Sequence, residues 1–223
     1  MESMSKFVCS QLNSFAFAPS PELLLTSTYS GVWSFCSTDR TYGSSAKTGK
    51  GLVQDALSCG RFFNDELKFD ELGAVALLNV GVPFAITKAV RETLQRCSIK
   101  ENKAEFCTLP FDYFYQSEDF CPQFMTRLYG QQIDHALEEN DVLVLPALPD
   151  LPLDLKQAQA GKVSAQEYLF ISPIYHSGNP VVAMPISPIR GKPMSILLVG
   201  KKGGDATLLK IAELFGARIL ASF

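Results

Sequence analysis

The sequence predicts an α/β fold built on a mixed, partly parallel sheet with flanking helices. Three short apolar runs that end in proline or glycine, residues 141–146, 181–185 and 194–200, have the length and composition of buried strands. A further apolar run at 72–80 is followed by an amphipathic pattern at 87–97. Because strands that alternate with helices usually lie parallel to one another, at least part of the sheet should be parallel.

Helical spacing of apolar residues predicts the helices that flank this sheet. The clearest is the last, 206–220, which follows a glycine-containing turn and has Asp205 as its N-cap candidate. A capping-box pattern, from Ser164 to Glu167, predicts a helix that runs toward residue 174. The remaining predicted elements are helices at 52–63 and 117–139 and a strand at 104–109.

The first 50 residues carry the weakest pattern. Residues 28–36 are predicted to form a strand with Gly31 as a bulge, and Trp33 is predicted to be a packing residue. The stretch 38–51 is rich in glycine, serine, threonine and lysine, a composition typical of a loop. The N-terminal segment is therefore the least defined part of the sequence.

Charge and composition exclude several classes of protein. A chain of 223 residues with 47% hydrophobic residues can bury a sizeable core. The formal net charge is -3 and no basic run is longer than Lys201-Lys202, which argues against a nucleic-acid or anionic-membrane partner. No apolar stretch approaches the roughly 18 residues that a membrane-spanning helix needs.

The cysteines indicate a reducing environment. Six cysteines occur without a C-x-x-C pair and without a secretory signal, so we interpret them as reduced thiols. Cytoplasm is the default location. Organellar targeting stays open because a short apolar patch, residues 15–18, lies near the N-terminus.

The order of the apolar runs that end in proline or glycine resembles that in the amidase signature family. These proteins are serine hydrolases that cleave carboxamides with a Ser-Ser-Lys triad. Four C-terminal blocks match in order and spacing, and the resemblance extends back to about Leu52. It implies a poorly defined segment, 1–50, before an amidase-like α/β region, 51–223. The matching residues are Asp141, Val142, Leu143, Pro146 and Pro149; Gly178, Pro180 and Pro185; Gly191, Pro193 and Gly200; and Asp205, Leu208, Leu209 and Ala212.

This chain departs from the family pattern at several positions near the expected acyl side of the pocket. Apolar residues stand where the family has threonines, and a tyrosine stands where it has an asparagine. If these positions shape the pocket, the resemblance implies a more apolar pocket. The departures are Leu145, Ala147 and Leu148 in the first block, Tyr175 in the second, and Ser195 and Leu197 in the third.

The catalytic segment of the family has no convincing counterpart. Amide cleavage of this kind needs a serine nucleophile, a second serine, a neutral lysine and glycines that let backbone N–H groups reach the oxyanion. The nearest match is Gly43-Ser44-Ser45, where Ala46 and Lys47 replace the two glycines that follow in the family. We interpret this stretch as a polar loop and assign no catalytic residue.

The resemblance implies a substrate-binding role for four residues around the second block: Tyr175, His176, Gly178 and Asn179. In the family this loop approaches the substrate channel. The alternative for His176 is a half-buried loop histidine without a function.

Other constellations favour structural interpretations. His135 lies beside Asp134 and Glu138, as on a solvated helix face, and no cluster has the ligand spacing of a metal site. Cys-His pairs, Cys121 with His135 or Cys59 with His176, stay open, although buried structural thiols are favoured. Gly203-Gly204 before a helix could bind an anion, but the Asp205 carboxylate would repel it. No cofactor is implied.

Two functional hypotheses follow. In the first, the chain is derived from an amide hydrolase, or is part of one, and is inactive alone; its partner is a small amide or a complementary catalytic segment or chain. In the second, it is a non-catalytic scaffold that uses the amidase-like sheet as a binding surface. The aromatic residues between 106 and 124 would form that surface if they are exposed.

Overall fold

An eight-stranded mixed sheet is the centre of the computed structural model, which describes residues 14–17, 20–58, 75–78, 81–97, 101–104, 130–154, 157 and 165–220. The strand order across the sheet is β1-β3-β2-β7-β8-β6-β4-β5. The strands are β1 (Ser14–Phe17), β2 (Trp33–Cys36), β3 (Gly43–Ala46), β4 (Val75–Leu78), β5 (Glu101–Ala104), β6 (Val142–Pro146), β7 (Val181–Ile189) and β8 (Lys192–Gly200).

The sheet is parallel at one end and antiparallel over the rest. Strand β4 pairs in parallel with β5 and with β6, whereas β8 pairs antiparallel with β6 and β7. Strands β2, β3 and β1 continue the antiparallel part beyond β7. The predicted α/β class with a mixed, partly parallel sheet is confirmed.

Helices cover both faces of this sheet. The backbone of β6 to β8 is lined by side chains that are buried at consecutive positions, such as Val181 to Met184, which requires cover on both sides. One layer contains α2, α3 and α5, and the other contains α1, α4 and a 3₁₀ turn, Ala165–Tyr168. The helices are α1 (Pro21–Ser30), α2 (Gly49–Ser58), α3 (Phe84–Arg96), α4 (Ile171–His176) and α5 (Asp205–Leu220); residues 130–136 are also helical.

The C-terminal elements follow the prediction closely. Strands β6 and β8 and helix α5 have the expected positions, but β7 runs past Pro185, where the sequence predicted its end. Beyond Ala183, β7 no longer pairs with β2, so the missing N–H of the proline costs no hydrogen bond on that side. The turn to β8 contains Arg190 (φ 53°) and Gly191 (φ 75°), as tight hairpins require.

The segment 28–30 is helical, which corrects the predicted strand at 28–36. Local caps define helix α1: the Ser20 side chain accepts a hydrogen bond from the Leu23 N–H, and Pro21 occupies the first turn. Gly31 ends the helix in the left-handed conformation, with φ 62°, so it is a C-cap and not a bulge. Only β2 remains of the predicted strand.

The stretch 38–51 contains regular structure, which corrects the predicted loop. It holds a 3₁₀ turn, Thr38–Arg40, then strand β3 and the beginning of helix α2. Strand β3 lacks large apolar side chains, and its pairing with β1 and β2 supplies the stability that its own sequence does not. The helix expected from the capping box is instead a 3₁₀ turn followed by α4, and Glu167 accepts a hydrogen bond from Tyr29.

Several sequence predictions lie wholly or largely outside the described residues. These are Ser164 of the capping box, most of the predicted strand 104–109, residues 117–129 of a predicted helix, and the aromatic stretch 106–124. Of the cysteines within the described part, Cys36 and Cys97 are buried free thiols. None of the described helices is long and apolar enough to cross a membrane.

Trp33 packs in a slot lined by two helical glycines, as its predicted packing role requires. A Cβ added at Gly216 of α5 would lie 3.2 Å from ring atoms of Trp33, and one added at Gly49 of α2 would lie 3.3 Å from the same ring. The indole is 8% exposed, so it fills the space between the sheet and these two helices. A methyl group at either position would fit only if its neighbours moved by a few tenths of an ångström, the Trp33 ring at both positions and also the Ala212 carbonyl at Gly49.

We expect Gly216→Ala to lower the free energy of unfolding by about 1 kcal/mol, because overpacking outweighs the roughly 1 kcal/mol gained in helix propensity. Trp33→Phe removes the ring atoms that approach Gly216. In that background Gly216→Ala should be stabilising. Urea unfolding of the four proteins of this double-mutant cycle measures the reversal of sign, and equal effects in both backgrounds would contradict the packing described.

Candidate functional site

Arg40 joins the β2–β3 connection to the loop that follows α4. Its guanidinium donates four hydrogen bonds to backbone carbonyls: Nε to Tyr175 at 2.7 Å, Nη2 to Ile174 at 2.7 Å, and Nη1 to Asn179 at 2.7 Å and Ser37 at 2.9 Å. Five N–H groups are available on an arginine side chain, so one remains. The arginine therefore caps the C-terminal end of α4 and closes the loop 174–179 against the sheet.

The backbone at Arg40 is bent into an uncommon conformation. Asp39 has φ 52° and Arg40 has φ 58°, in the left-handed region that non-glycine residues rarely adopt. Such conformations cost about 1 kcal/mol or more each and persist only where the surrounding contacts compensate. The hydrogen bonds of the guanidinium provide that compensation.

The two residues before Arg40 attach the same turn to other parts of the C-terminal region. The N–H and hydroxyl of Thr38 donate to the two carboxylate oxygens of Asp205 at 2.7 and 2.5 Å. The Gly203 N–H donates to the Thr38 hydroxyl at 2.9 Å, and the Asp39 N–H donates to the Gly178 carbonyl at 3.0 Å. Asp205, predicted as an N-cap, is the first residue of α5, and its carboxylate holds Thr38.

The structure brings the four predicted binding residues together, but in different environments. Tyr175 and His176 end helix α4 and are partly exposed, whereas Asn179 is completely buried. Gly178 has φ 80°, a conformation in which glycine is favoured, and this allows the turn between them. Tyr175, His176 and Gly178 are thus the partly exposed residues of this segment.

Asn179 belongs to a polar network beneath this loop. Its Nδ2 donates to the Asp134 carboxylate at 2.9 Å and to the Gly200 carbonyl at 3.1 Å, and Asp134 also accepts from the Lys202 amine at 2.7 Å. Both amide hydrogens are therefore occupied. The Asn179 Oδ1 is buried without a partner. This residue holds the loop on β8 and the 130–136 helix.

The electrostatics of the Tyr175-His176 pair depend on Arg40. The Arg40 guanidinium lies 4.8 Å from the centroid of the Tyr175 ring, which is a cation–π contact. The Tyr175 and His176 rings pack edge to face, with their centroids 5.5 Å apart. Burial, with a contribution from the Arg40 charge, lowers the pKa of His176 below its usual 6.5. His176 is therefore predominantly neutral at pH 7 and can donate or accept a hydrogen bond.

Cys36 lies at the end of β2, close to the same arginine, and it is fully buried. Burial raises the pKa of its thiol to about 11, although the Arg40 charge acts in the opposite direction. The thiol is thus protonated at neutral pH and lacks the reactivity of a thiolate. The proposed partners Cys59 and Cys121 in Cys-His pairs lie outside the described residues.

Ser44 and Ser45, which partly match the catalytic motif of the family, are central residues of strand β3. Ser44 is 0% exposed and its hydroxyl has no hydrogen-bond partner, and Ser45 is 6% exposed. Lys47 is exposed. Within the described ranges, the amines of Lys88, Lys192, Lys202 and Lys210 bond to carboxylates or to a carbonyl, and none of these four bonds to a serine hydroxyl. No Ser-Ser-Lys cluster is therefore assembled by this part of the chain.

The remaining candidate sites show no arrangement suited to catalysis or metal binding within the described residues. His135 is exposed, with its Nδ1 3.2 Å from the Glu138 carboxylate. In the described part of the chain, no group of three or more metal-ligating side chains could hold an ion. Five of the six positions that depart from the family pattern are interior ones: Leu145, Ala147, Leu148, Ser195 and Leu197 are at most 2% exposed. The sixth, Tyr175, is partly exposed.

Sequence reasoning missed Arg40, the residue that organises this site. It lies in a stretch interpreted as a loop, and its partners are carbonyl groups, which every residue possesses. The only signal was an arginine four residues after a strand, next to an aspartate, and this signal is common at surfaces. The contacts are more than 130 positions apart in sequence, so no local pattern indicates them.

The chain is similar in sequence to the A-subunit of glutamyl-tRNA(Gln) amidotransferase. It is 28% identical to the protein of Dehalococcoides mccartyi over 98 residues and 26% identical to that of Archaeoglobus fulgidus over 83 residues. These matches cover 42% and 37% of this chain but 19% and 18% of the relatives. The chain thus spans about a fifth of the length of the curated relatives it matches. No protein-family model matches it.

The fold is similar to that of longer solved structures. The same amidotransferase component from Thermotoga maritima has a TM-score of 0.71 at 12% identity, covering 92% of this chain and 62% of that one. A bacterial aryl acylamidase of the amidase signature family has a TM-score of 0.69 at 10% identity, covering 93% and 62%. At such identities the likeness concerns the fold. The predicted resemblance to part of the amidase signature family is confirmed.

The lowered pKa of His176 predicts a pH dependence of stability. The unfolded chain binds a proton at this side chain at a higher pH than the folded chain does, so the free energy of unfolding should decrease as the pH falls through 6.5. His176→Gln removes this contribution, and its stability relative to wild type should rise as the pH is lowered from about 7.5 to about 5.5.

Urea unfolding at a series of pH values measures the difference. His135→Gln is the matched control, because His135 is the other histidine of the chain and its side chain is 83% exposed. That variant should keep the wild-type dependence. An unchanged dependence in His176→Gln would show that the histidine is equally protonated in both states.

Proposed function

Because the chain has the fold of amidase signature enzymes over part of their length, we propose that it is an amide-binding component of an amide hydrolase. It binds a small amide at the loop 174–179 and does not hydrolyse it alone. The observation that carries the proposal is the position of Ser44 and Ser45 in a buried, doubly paired strand. Neither hydroxyl is placed for attack on a substrate carbonyl.

The binding surface of this proposal is the partly exposed Tyr175-His176 pair. A neutral His176 can accept the N–H of an amide or donate to its carbonyl, and the Tyr175 ring offers an apolar face. The loop is held by Arg40 and by the Asn179 network, so little conformational entropy would be lost when a ligand binds. These features suit recognition of a neutral planar group such as a carboxamide.

Hydrolysis requires groups that the described residues do not assemble: a serine nucleophile, a second serine and a neutral lysine. In our proposal, a complementary catalytic segment or partner chain supplies them. The parts of the solved relatives that this chain does not cover are large enough for such a segment. A cytoplasmic location remains part of the same proposal.

The scaffold hypothesis stays a sequence prediction. It depends on exposure of the aromatic residues between 106 and 124, which lie outside the described residues. Within the described part, Phe84 is the one large hydrophobic residue that is strongly exposed, at 80%. A single exposed phenylalanine is normal for a folded protein and does not indicate a docking surface.

We expect the purified chain to bind simple amides without cleaving them. Acetamide, hexanamide and benzamide are suitable probes: each should shift the backbone amide resonances of residues 174–179, and none should release ammonia above the buffer rate. His176→Gln should weaken binding because it removes the imidazole.

The serine and lysine variants Ser44→Ala, Ser45→Ala and Lys47→Ala are the controls, and they should leave binding unchanged. Ammonia release that disappears in one of these variants would overturn the assignment of β3 as structural. Absence of resonance shifts with all three amides would overturn the binding function itself.

A further inference from the structure

We propose that Arg40 is a positioning residue for ligand binding: it sets the place of the Tyr175-His176 pair and thereby the affinity for an amide. The inference rests on the proposed function. It goes beyond it by assigning control of the site to a residue of the β2–β3 connection, far from the loop in sequence.

The first argument is the distribution of the hydrogen bonds. Arg40 contacts carbonyls on both sides of the Gly178 turn, at Ile174 and Tyr175 before it and at Asn179 after it. Three anchors along one short segment fix its translation and its rotation, because each carbonyl must point at a different nitrogen of one planar group. The Arg40 guanidinium carbon also lies over the Tyr175 ring, 4.8 Å from the ring centroid.

The second argument is the charge balance. Within the described residues, no carboxylate forms an ion pair with Arg40; its hydrogen-bond acceptors are carbonyl dipoles. A guanidinium held by a carboxylate would keep its position if the loop moved. Here the loop supplies three of the four acceptors, so the position of the cation and the position of the loop are coupled.

The third argument is the strained turn. Asp39 and Arg40 both adopt left-handed backbone conformations, which direct the arginine toward α4. The Asp39 N–H donates to the Gly178 carbonyl in the same arrangement. A lysine at position 40 would keep the charge, but its three donors share one nitrogen and could not match carbonyls that bond three different nitrogens of a planar group, so Arg40→Lys isolates the geometry from the charge.

The test compares Arg40→Lys with Arg218→Lys. Arg218 is the matched control because its Nη1 donates at 2.6 Å to the Cys97 carbonyl at the end of α3, away from the loop. We expect Arg40→Lys to raise the dissociation constant for hexanamide and benzamide about tenfold or more, as small misplacements of binding groups do. Arg218→Lys should lower stability without changing these dissociation constants.

A ligand-free measurement separates positioning from stability. In Arg40→Ala, the backbone resonances of residues 174–179 should move, and millimolar methylguanidinium should return them toward their wild-type positions and restore amide binding. The same compound should not affect Arg218→Ala.

The outcomes distinguish the two proposals. If wild type binds amides and Arg40→Lys binds them equally well, Arg40 is not a positioning residue and the proposed function stands. If wild type binds none of the probes, the proposed function fails and the inference fails with it. Weaker binding in Arg40→Lys alone, with rescue of Arg40→Ala, supports the inference.

Discussion

The guanidinium of Arg40 connects parts of the chain that are far apart in sequence, and the candidate site depends on it. Its carbonyl acceptors lie in the turn before it and, up to 139 positions away, at the end of α4 and in the loop after it. A buried charge is unfavourable unless its donors are satisfied, and here backbone dipoles satisfy four of five. Removing the arginine would leave several carbonyls without a donor, so both the turn and the loop lose their defined positions.

The same turn shows why β3, a strand of small residues, can be well ordered. Thr38, Asp39 and Arg40 each bond to a different part of the C-terminal region, through Asp205, Gly178 and the carbonyls around α4. Strand β3 follows this turn and pairs on both sides. Its serines are therefore buried within the sheet, where their hydroxyls cannot approach a ligand. A serine pair in a flexible glycine-rich loop would have that freedom.

Local patterns were sufficient for the elements that carry their own hydrophobic signal. Strands β6 and β8 were predicted because continuous apolar runs bounded by proline or glycine are buried in any environment, and α5 because its apolar residues recur with helical period. Helix α1 was not predicted although Ser20, Pro21 and Gly31 form ordinary caps, and its last residues, 28–30, were assigned to the strand that contains Trp33. The four loop residues were found through their resemblance to a family block, not through their chemistry.

The amino-acid sequence by itself determined the α/β class and the C-terminal strands, because these follow from periodicity and from order along the chain. The residues from Tyr175 to Asn179 were singled out by a family resemblance, and their binding role stays a prediction. Tertiary structure alone decided that Gly43-Ser44-Ser45 is a strand and that Arg40 holds the loop. Both depend on hydrogen bonds between distant backbone groups, and backbone groups are the same in every residue. No sequence pattern can therefore specify which distant carbonyl an arginine will meet.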